Sequence, residues 1–193
     1  MLITNKNSCE IVDYSTFNNL SKEGTTNLNH TGYWNTIIYT DNPEVMAILT
    51  VGSASSNTGA TTRVSYIDVT GNSGPTLLGT ATLSNTYSTP SIVNSNTGTG
   101  PWAYYCGNNR FVYAERNAVI VFEMNLDNYT ATQTGYAGIS AYGWDTRVMW
   151  MGENIVGAIL PVTNNSTIGV KSFTVAANGS LTAADTFDAT ASD

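Results

Sequence analysis

Charge is scarce in this chain of 193 residues: Asp, Glu, Lys and Arg make up 11% of it, against about 25% in an average soluble domain. Seven Lys and Arg face fourteen Asp and Glu, a formal net charge of −7. Binding a phosphate backbone needs clustered cations that displace counterions, so nucleic acid is not an expected partner. Histidine occurs once, as His30 in the polar run Asn29-His30-Thr31, which leaves a Ser–His or Cys–His pair little to draw on. Cys9 and Cys106 stand far apart with no CxxC pair, so neither a disulfide framework nor a zinc site is indicated. No segment reaches the ~18 to 20 consecutive apolar residues that span a bilayer. Met1 to Glu10 also lacks the basic-then-apolar layout of a secretory signal. The expectation is a chain with no metal, no cofactor and no membrane insertion.

Helical periodicity is nearly missing as well. Tyr14 to Glu23 is the one stretch that fits a helical turn, with Ser15 as a cap. Elsewhere short runs of Val, Ile, Tyr and Thr alternate with polar residues between Gly/Asn/Ser clusters, the period-2 signature of strands. Thr, Asn and Ser together supply roughly a third of the residues.

One pattern occurs three times: an apolar strand, an Asn-containing turn and a second strand ending near Ala. Its copies are Ile37 to Leu49, Ala103 to Glu115 and Val148 to Leu160. The turns hold Asn42, Asn108 with Asn109, and Asn154, which suits hairpin positions that need positive φ. A third strand follows each hairpin and centres on Tyr66, Phe122 or Phe173; a second turn and a Thr-rich fourth run complete the unit. Trp34, Trp102 and Trp144 each precede a first strand, and the alanines Ala47, Ala114 and Ala158 align. Four-stranded meanders recurring at this period read as β-propeller blades. The predicted fold is all-β, three four-stranded antiparallel meanders resembling β-propeller blades, with a β-sandwich as the alternative. Residues 34–193 form the three-repeat β domain, with units at about 34–84, 101–135 and 144–187. Residues 1–33 form an N-terminal arm or a capping segment that shields an open sheet edge. Three blades do not close a ring, so association with copies of itself or with a partner is expected.

No catalytic residues emerge, and the chain is expected not to be an enzyme. His30 reads as a loop residue, and Cys106 as a small packed thiol in a turn. Cys9 is expected to be the more exposed thiol. The carboxylates are scattered through turns and strand ends, so a hydrolase pair is conceivable from their positions but nothing selects one. Met124 to Asn128 faintly suggests calcium ligands, yet lacks the spacing of a calcium loop, and an Asp-Asn turn accounts for it. Trp34, Trp102 and Trp144 are candidate stacking platforms for sugar rings, since flat aromatics pack apolar sugar faces; the alternative is that each wedges between sheets. Tyr104, Tyr105, Tyr113, Trp150 and Met151 read as core side chains of strands.

In the repeats VMAILTVGSASSNTGATTRVSYIDVTGNSGPTLLGTATLSN and VGAILPVTNNSTIGVKSFTVAANGSLTAADTF, the order is strand, polar loop, V-x-x-[YF]-x-V, turn and Thr-rich strand. This order resembles structural proteins of tailed-bacteriophage virions, of the tail-fibre and accessory type. The resemblance spans about residues 34–187. It implies a virion protein assembled in several copies, contacting other virion proteins or copies of itself, with host-surface glycan as a further contact. It carries no residue roles, because no shared site motif is matched.

Overall fold

Alternating β-branched and aromatic residues bounded by Asn and Gly favour strands throughout. A computed structural model of the chain describes residues 1–4, 7–13, 21–29, 32–52, 62–71, 74–83, 103–115, 118–139, 147–152, 154–162 and 167–190, and within them it holds strands and no helix. Four antiparallel sheets follow one another along the chain. The first has three strands, β1 (Leu2–Thr4), β2 (Ser8–Asp13) and β3 (Ser21–Asn27). The second is β4 (Gly32–Ile38), β5 (Val45–Gly52), β6 (Thr62–Asp68) and β7 (Thr76–Thr82). The third is β8 (Ala103–Tyr105), β9 (Arg110–Glu115), β10 (Ala118–Asn125) and β11 (Thr130–Gly138). The fourth is β12 (Arg147–Gly152), β13 (Ile155–Val162), β14 (Thr167–Val175) and β15 (Leu181–Thr190). Each of the last three is a four-stranded meander with its strands in sequence order, which is the β-propeller blade read from the repeats.

Two sequence expectations are corrected in the first sheet. Residues 14–20 of the anticipated helix lie outside the described residues, and Ser21 to Glu23 belong to β3. Their alternation with Thr25 and Thr26 serves the ladder to β2, in which Cys9 faces Thr26 and Glu10 faces Thr25. Cys9 is fully buried rather than exposed, because a sheet covers it.

One backbone hydrogen bond recurs in all four sheets and fixes their equivalence. Val12 N–H donates to the Met1 carbonyl, Val69 to Glu44, Met124 to Asn109 and Val175 to Asn154, at 2.7 to 2.9 Å. By this register β1 corresponds to the second strands β5, β9 and β13. Ile67, not Tyr66, takes the place of Phe122 and Phe173, and Ile48 matches Tyr113 and Ala158. The similarity of the strings had suggested a register shifted by one to two residues. The reason is the face of the strand: Tyr66 turns to the sheet that follows its own, whereas Phe122 and Phe173 turn to the sheet that precedes theirs, and a one-residue shift exchanges the two faces. A bulge also lies between the last two strands of every sheet, its extra residue, Glu23, Leu78, Thr134 or Ala184, being on the last strand.

The hairpin asparagines work in two ways. Asn108, Asn109 and Asn154 adopt φ of 53°, 51° and 65°, where Asn is tolerated better than most residues. Asn42 instead caps its turn through the side chain, its Oδ1 accepting from Glu44 N–H at 3.0 Å. Asn125 Oδ1 likewise accepts from Asp127 and Asn128 N–H, so Met124 to Asn128 is a side-chain-stabilised turn.

Successive sheets pack face to face around three apolar layers. Cys9, Leu28, Ile48 and Ile67 join the first sheet to the second. Ala47, Leu49, Val64 and Tyr66 meet Phe111, Tyr113, Ile120 and Phe122 between the second and third. Val112, Ala114, Val119 and Val121 meet Val148, Val156, Ala158 and Phe173 between the third and fourth. Strand β10 therefore buries both faces, Ile120 and Phe122 one way and Val119 and Val121 the other. Burying each such large side chain contributes roughly 1.5 to 3 kcal/mol. Phe111 and Phe122 stack with centroids 5.5 Å apart.

The outer strands close on glycine at every interface. A Cβ on Gly74 would lie 2.5 Å from Gly24 Cα, one on Gly79 would lie 2.6 Å from Tyr129 Cβ, and one on Gly135 would collide with the Gly179 carbonyl oxygen. Any side chain at these points would hold the sheets apart.

Candidate interaction surface

The first strand of each sheet is, among the described residues, an edge with one lateral neighbour, and the exposed apolar residues gather there. Among the described residues the large exposed hydrophobics are Met1, Ile3, Tyr39, Tyr104, Met149 and Met151. Each lies in β1, β4, β8 or β12 order, within the strand or adjoining its end. Tyr39 and Met151 are the most open, at 64% and 58% of their full exposure. Met149 and Met151 stand together over Gly157, where a Cβ would meet Met151 Sδ at 2.8 Å and Met149 Cγ at 3.3 Å. Val148 and Trp150, the alternate residues of β12, turn to the third sheet. The methionines therefore mark the fourth sheet's opposite face. Tyr113 and half-buried Tyr105 and Trp150 pack with the core as expected, whereas Tyr104 and Met151 do not, because edge strands bury only the side facing a neighbour.

Beside β1 opens a cavity of about 500 Å³ lined by Met1, Leu2, Ile37, Tyr39 and Met46. Its walls come from β1, β4 and β5. The Met1 ammonium donates to the Val12 carbonyl at 2.9 Å and pins the start of β1. A Lys22–Glu10 ion pair, 2.8 Å, ties β3 to β2.

A second depression, about 560 Å³, runs between β7 and the turn into β11, lined by Leu78 to Thr82 and Asn128 to Ala131. Its floor includes Tyr129, tilted against Tyr66 with centroids 5.7 Å apart. Tyr66 reaches across the interface to donate its hydroxyl to the Thr130 carbonyl, and burial pushes its phenol well above the ordinary range. Thr80, Thr82, Asn128 and Thr130 hold hydroxyl and amide groups at the rim.

Polar bridges at the turns link neighbouring sheets. Tyr105 donates to Asp41, whose own N–H donates to Asn109 Oδ1 at 2.7 Å. Arg110 pairs with Glu123 at 2.7 Å and donates to the Ala177 carbonyl of the fourth sheet. Burial, and secondarily the Glu10 charge, push the Cys9 thiol up to about 11. Burial raises Cys106 to about 11 against the opposing pull of Arg110. Both thiols are therefore protonated at neutral pH and poor nucleophiles. Among the described residues no group of three or more His, Cys, Asp or Glu is placed to hold a metal ion.

Of the three tryptophans singled out in the sequence, the described residues include the backbone of one. Trp34 lies in β4, where it pairs with Val51, and its side chain is outside the described set; Trp102, Trp144 and His30 lie outside the described residues altogether. The cavity and the outer groove were missed from sequence. Each combines residues from separate strands or sheets, so no local pattern marks it.

No protein-family model matches the sequence, and no curated protein matches it. Solved structures do resemble it in shape. A protein from Lactobacillus plantarum superposes with a TM-score of 0.60 at 16% identity, over 94% of this chain and 51% of that one. Sqt1 of Saccharomyces cerevisiae gives 0.52 at 11% identity, over 86% and 38%. Hsv2p of Kluyveromyces lactis gives 0.52 at 8% identity, over 95% and 55%. Sqt1 and Hsv2p are β-propeller proteins, and the shared architecture establishes the fold class of this chain. The chain spans from about two fifths to just over half the length of these structures.

Proposed function

We propose that the chain is a non-enzymatic assembly protein, a run of propeller blades that acts through protein–protein contacts. The observation that carries this reading is the collection of exposed Met, Ile and Tyr side chains on the first strands, continued onto the open face of the fourth sheet. Apolar surface of this kind is characteristic of contact sites. The setting is a tailed-phage virion, with copies of itself or other virion proteins as partners; support for that setting is the repeat resemblance, and the propeller neighbours bear on the fold alone. Light scattering from 5 to 200 μM, on the order typical of weak association, together with particle purification, tests the reading. Concentration-dependent mass or co-purification with particles is the expected result, and a monomer throughout that never accompanies a particle overturns it.

A second reading is a carbohydrate-binding module for host attachment, favoured by the groove of Thr and Asn around Tyr129. Saturable glycan binding lost in Asn128→Ala would establish it, and silence across a broad glycan panel would remove it. For the tryptophans, sugar-dependent quenching of fluorescence that disappears on replacing Trp34, Trp102 or Trp144 by Ala is the corresponding test.

A further inference from the structure

Asn178–Gly179, in the turn between β14 and β15, is the one Asn-Gly step in the chain. Such a pair is chemically reactive, because glycine carries no Cβ to keep its backbone nitrogen from the preceding side chain. In the reaction the Gly179 nitrogen gives its proton to solvent and bonds to Asn178 Cγ, ammonia leaves, and a cyclic imide forms. Water then opens the imide at either carbonyl. One product is aspartate, the other isoaspartate, in which the main chain runs through the side-chain methylene.

The local geometry prepares one half of this step and restrains the other. Asn178 is exposed, so water reaches it. Its Oδ1 accepts from Ser180 N–H at 3.1 Å and from the Ser180 hydroxyl at 2.8 Å, two donors on the atom where negative charge develops as the nitrogen attacks. The nucleophile is held back. Gly179 N–H donates to the Ala176 carbonyl at 2.8 Å, and Ala176 N–H donates to the Ser180 carbonyl at 2.9 Å. While the first of these bonds stands, the Gly179 proton is directed at Ala176 and withheld from solvent base. The third sheet grips the same turn from outside. Arg110, paired with Glu123, donates to the Ala177 carbonyl. Gly179 is buried, and a Cβ on it would collide with Thr134 Oγ1 of β11.

We propose that Asn178 is a site of spontaneous deamidation gated by this turn: it reacts when the bond from Gly179 to Ala176 opens, and the product weakens the contact between the third and fourth sheets. Isoaspartate inserts a main-chain atom into a turn whose Gly179 carbonyl already lies where a Cβ on Gly135 would be. The added length has no space against β11, so the turn withdraws and Arg110 loses its acceptor. The step is irreversible, because the ammonia is lost to solvent. This inference concerns chemistry within the chain and stands apart from the assembly and carbohydrate readings.

The full chain is incubated at pH 8, folded and in urea, with deamidation followed by peptide mass spectrometry and amide exchange at Gly179 measured in parallel. In urea Asn178 should react first among the asparagines. In the folded chain it should react about tenfold or more slowly, in proportion to the open fraction that exchange at Gly179 reports. Arg110→Ala releases the Ala177 carbonyl and should speed exchange and deamidation of the folded chain by a common factor, leaving the rate in urea unchanged. Should that variant fail to fold, low urea applied to the unaltered chain decides, since the two rates must rise together. Chain enriched in isoaspartate should unfold at a lower urea midpoint. Another asparagine reacting first in urea overturns the site. Equal rates in the folded and unfolded chain, or deamidation that does not follow Gly179 exchange, overturn the gate, and an unchanged midpoint overturns the weakened contact.

Discussion

At Cys9 and Cys106 two small thiols are sealed by separate interfaces, Cys9 between the first and second sheets and Cys106 between the third and fourth. Both are raised from 9.0 to about 11 in the folded chain, so the folded state favours the protonated form. Their contribution to stability is complete below pH 9 and is lost as pH rises from about 9 to 11. Urea midpoints should fall across that window, and the fall should shrink when both are replaced by Ala, relative to the variant's own midpoint at pH 7. Native thiols should also resist iodoacetamide at pH 8 and react once the chain is unfolded. Asp68 behaves in the opposite sense. The Thr70 hydroxyl, and then its backbone N–H, donate to Asp68 Oδ1 at 2.7 and 2.8 Å and hold the carboxyl below its usual 3.8. That contribution is present above 3.8 and fades as pH falls through the depressed value. Thr70→Val should move the Asp68 titration back toward 3.8, as read by NMR.

Strands and turns are where the sequence was most legible. The three hairpins, the third strands and the Thr-rich fourth runs appear where alternation and the Asn turns placed them. Register was less legible, because a third strand lying between two sheets buries apolar residues on both faces, so its aromatic can take either: Tyr66 faces the following sheet, and Phe122 and Phe173 face the preceding one. The first sheet was hidden for a related reason: β1 has three residues and β3, SKEGTTN, has no apolar side chain, so neither shows hydrophobic periodicity. Glycine at the outer strands had no local signature either, since its need comes from a strand of another sheet. Gly135→Ala should destabilise the chain by about 1 to 3 kcal/mol through overpacking against the Gly179 carbonyl. Denaturant unfolding measures this, and an unchanged midpoint would show that β11 and the turn before β15 separate freely.

At the scale of the whole molecule, four sheets stacked in chain order leave the first and fourth, among the described residues, with one covered face each. Met149 and Met151 occupy the uncovered side of the fourth sheet, and serine at both positions should lower association measured by light scattering while shifting Tm by no more than about 2 °C, because exposed substitutions cost little folding energy. Undiminished association would move the contact to another surface. The amino-acid order by itself determined the all-β class, the threefold unit and its turns, since period-2 alternation and the tolerance of Asn for positive φ act between residues close in the chain. Tertiary structure decided the three-stranded first sheet, the burial of Cys9, the glycine contacts and the cavity beside β1. Each of those depends on which backbone lies against which, and packing between sheets joins residues that no local pattern relates.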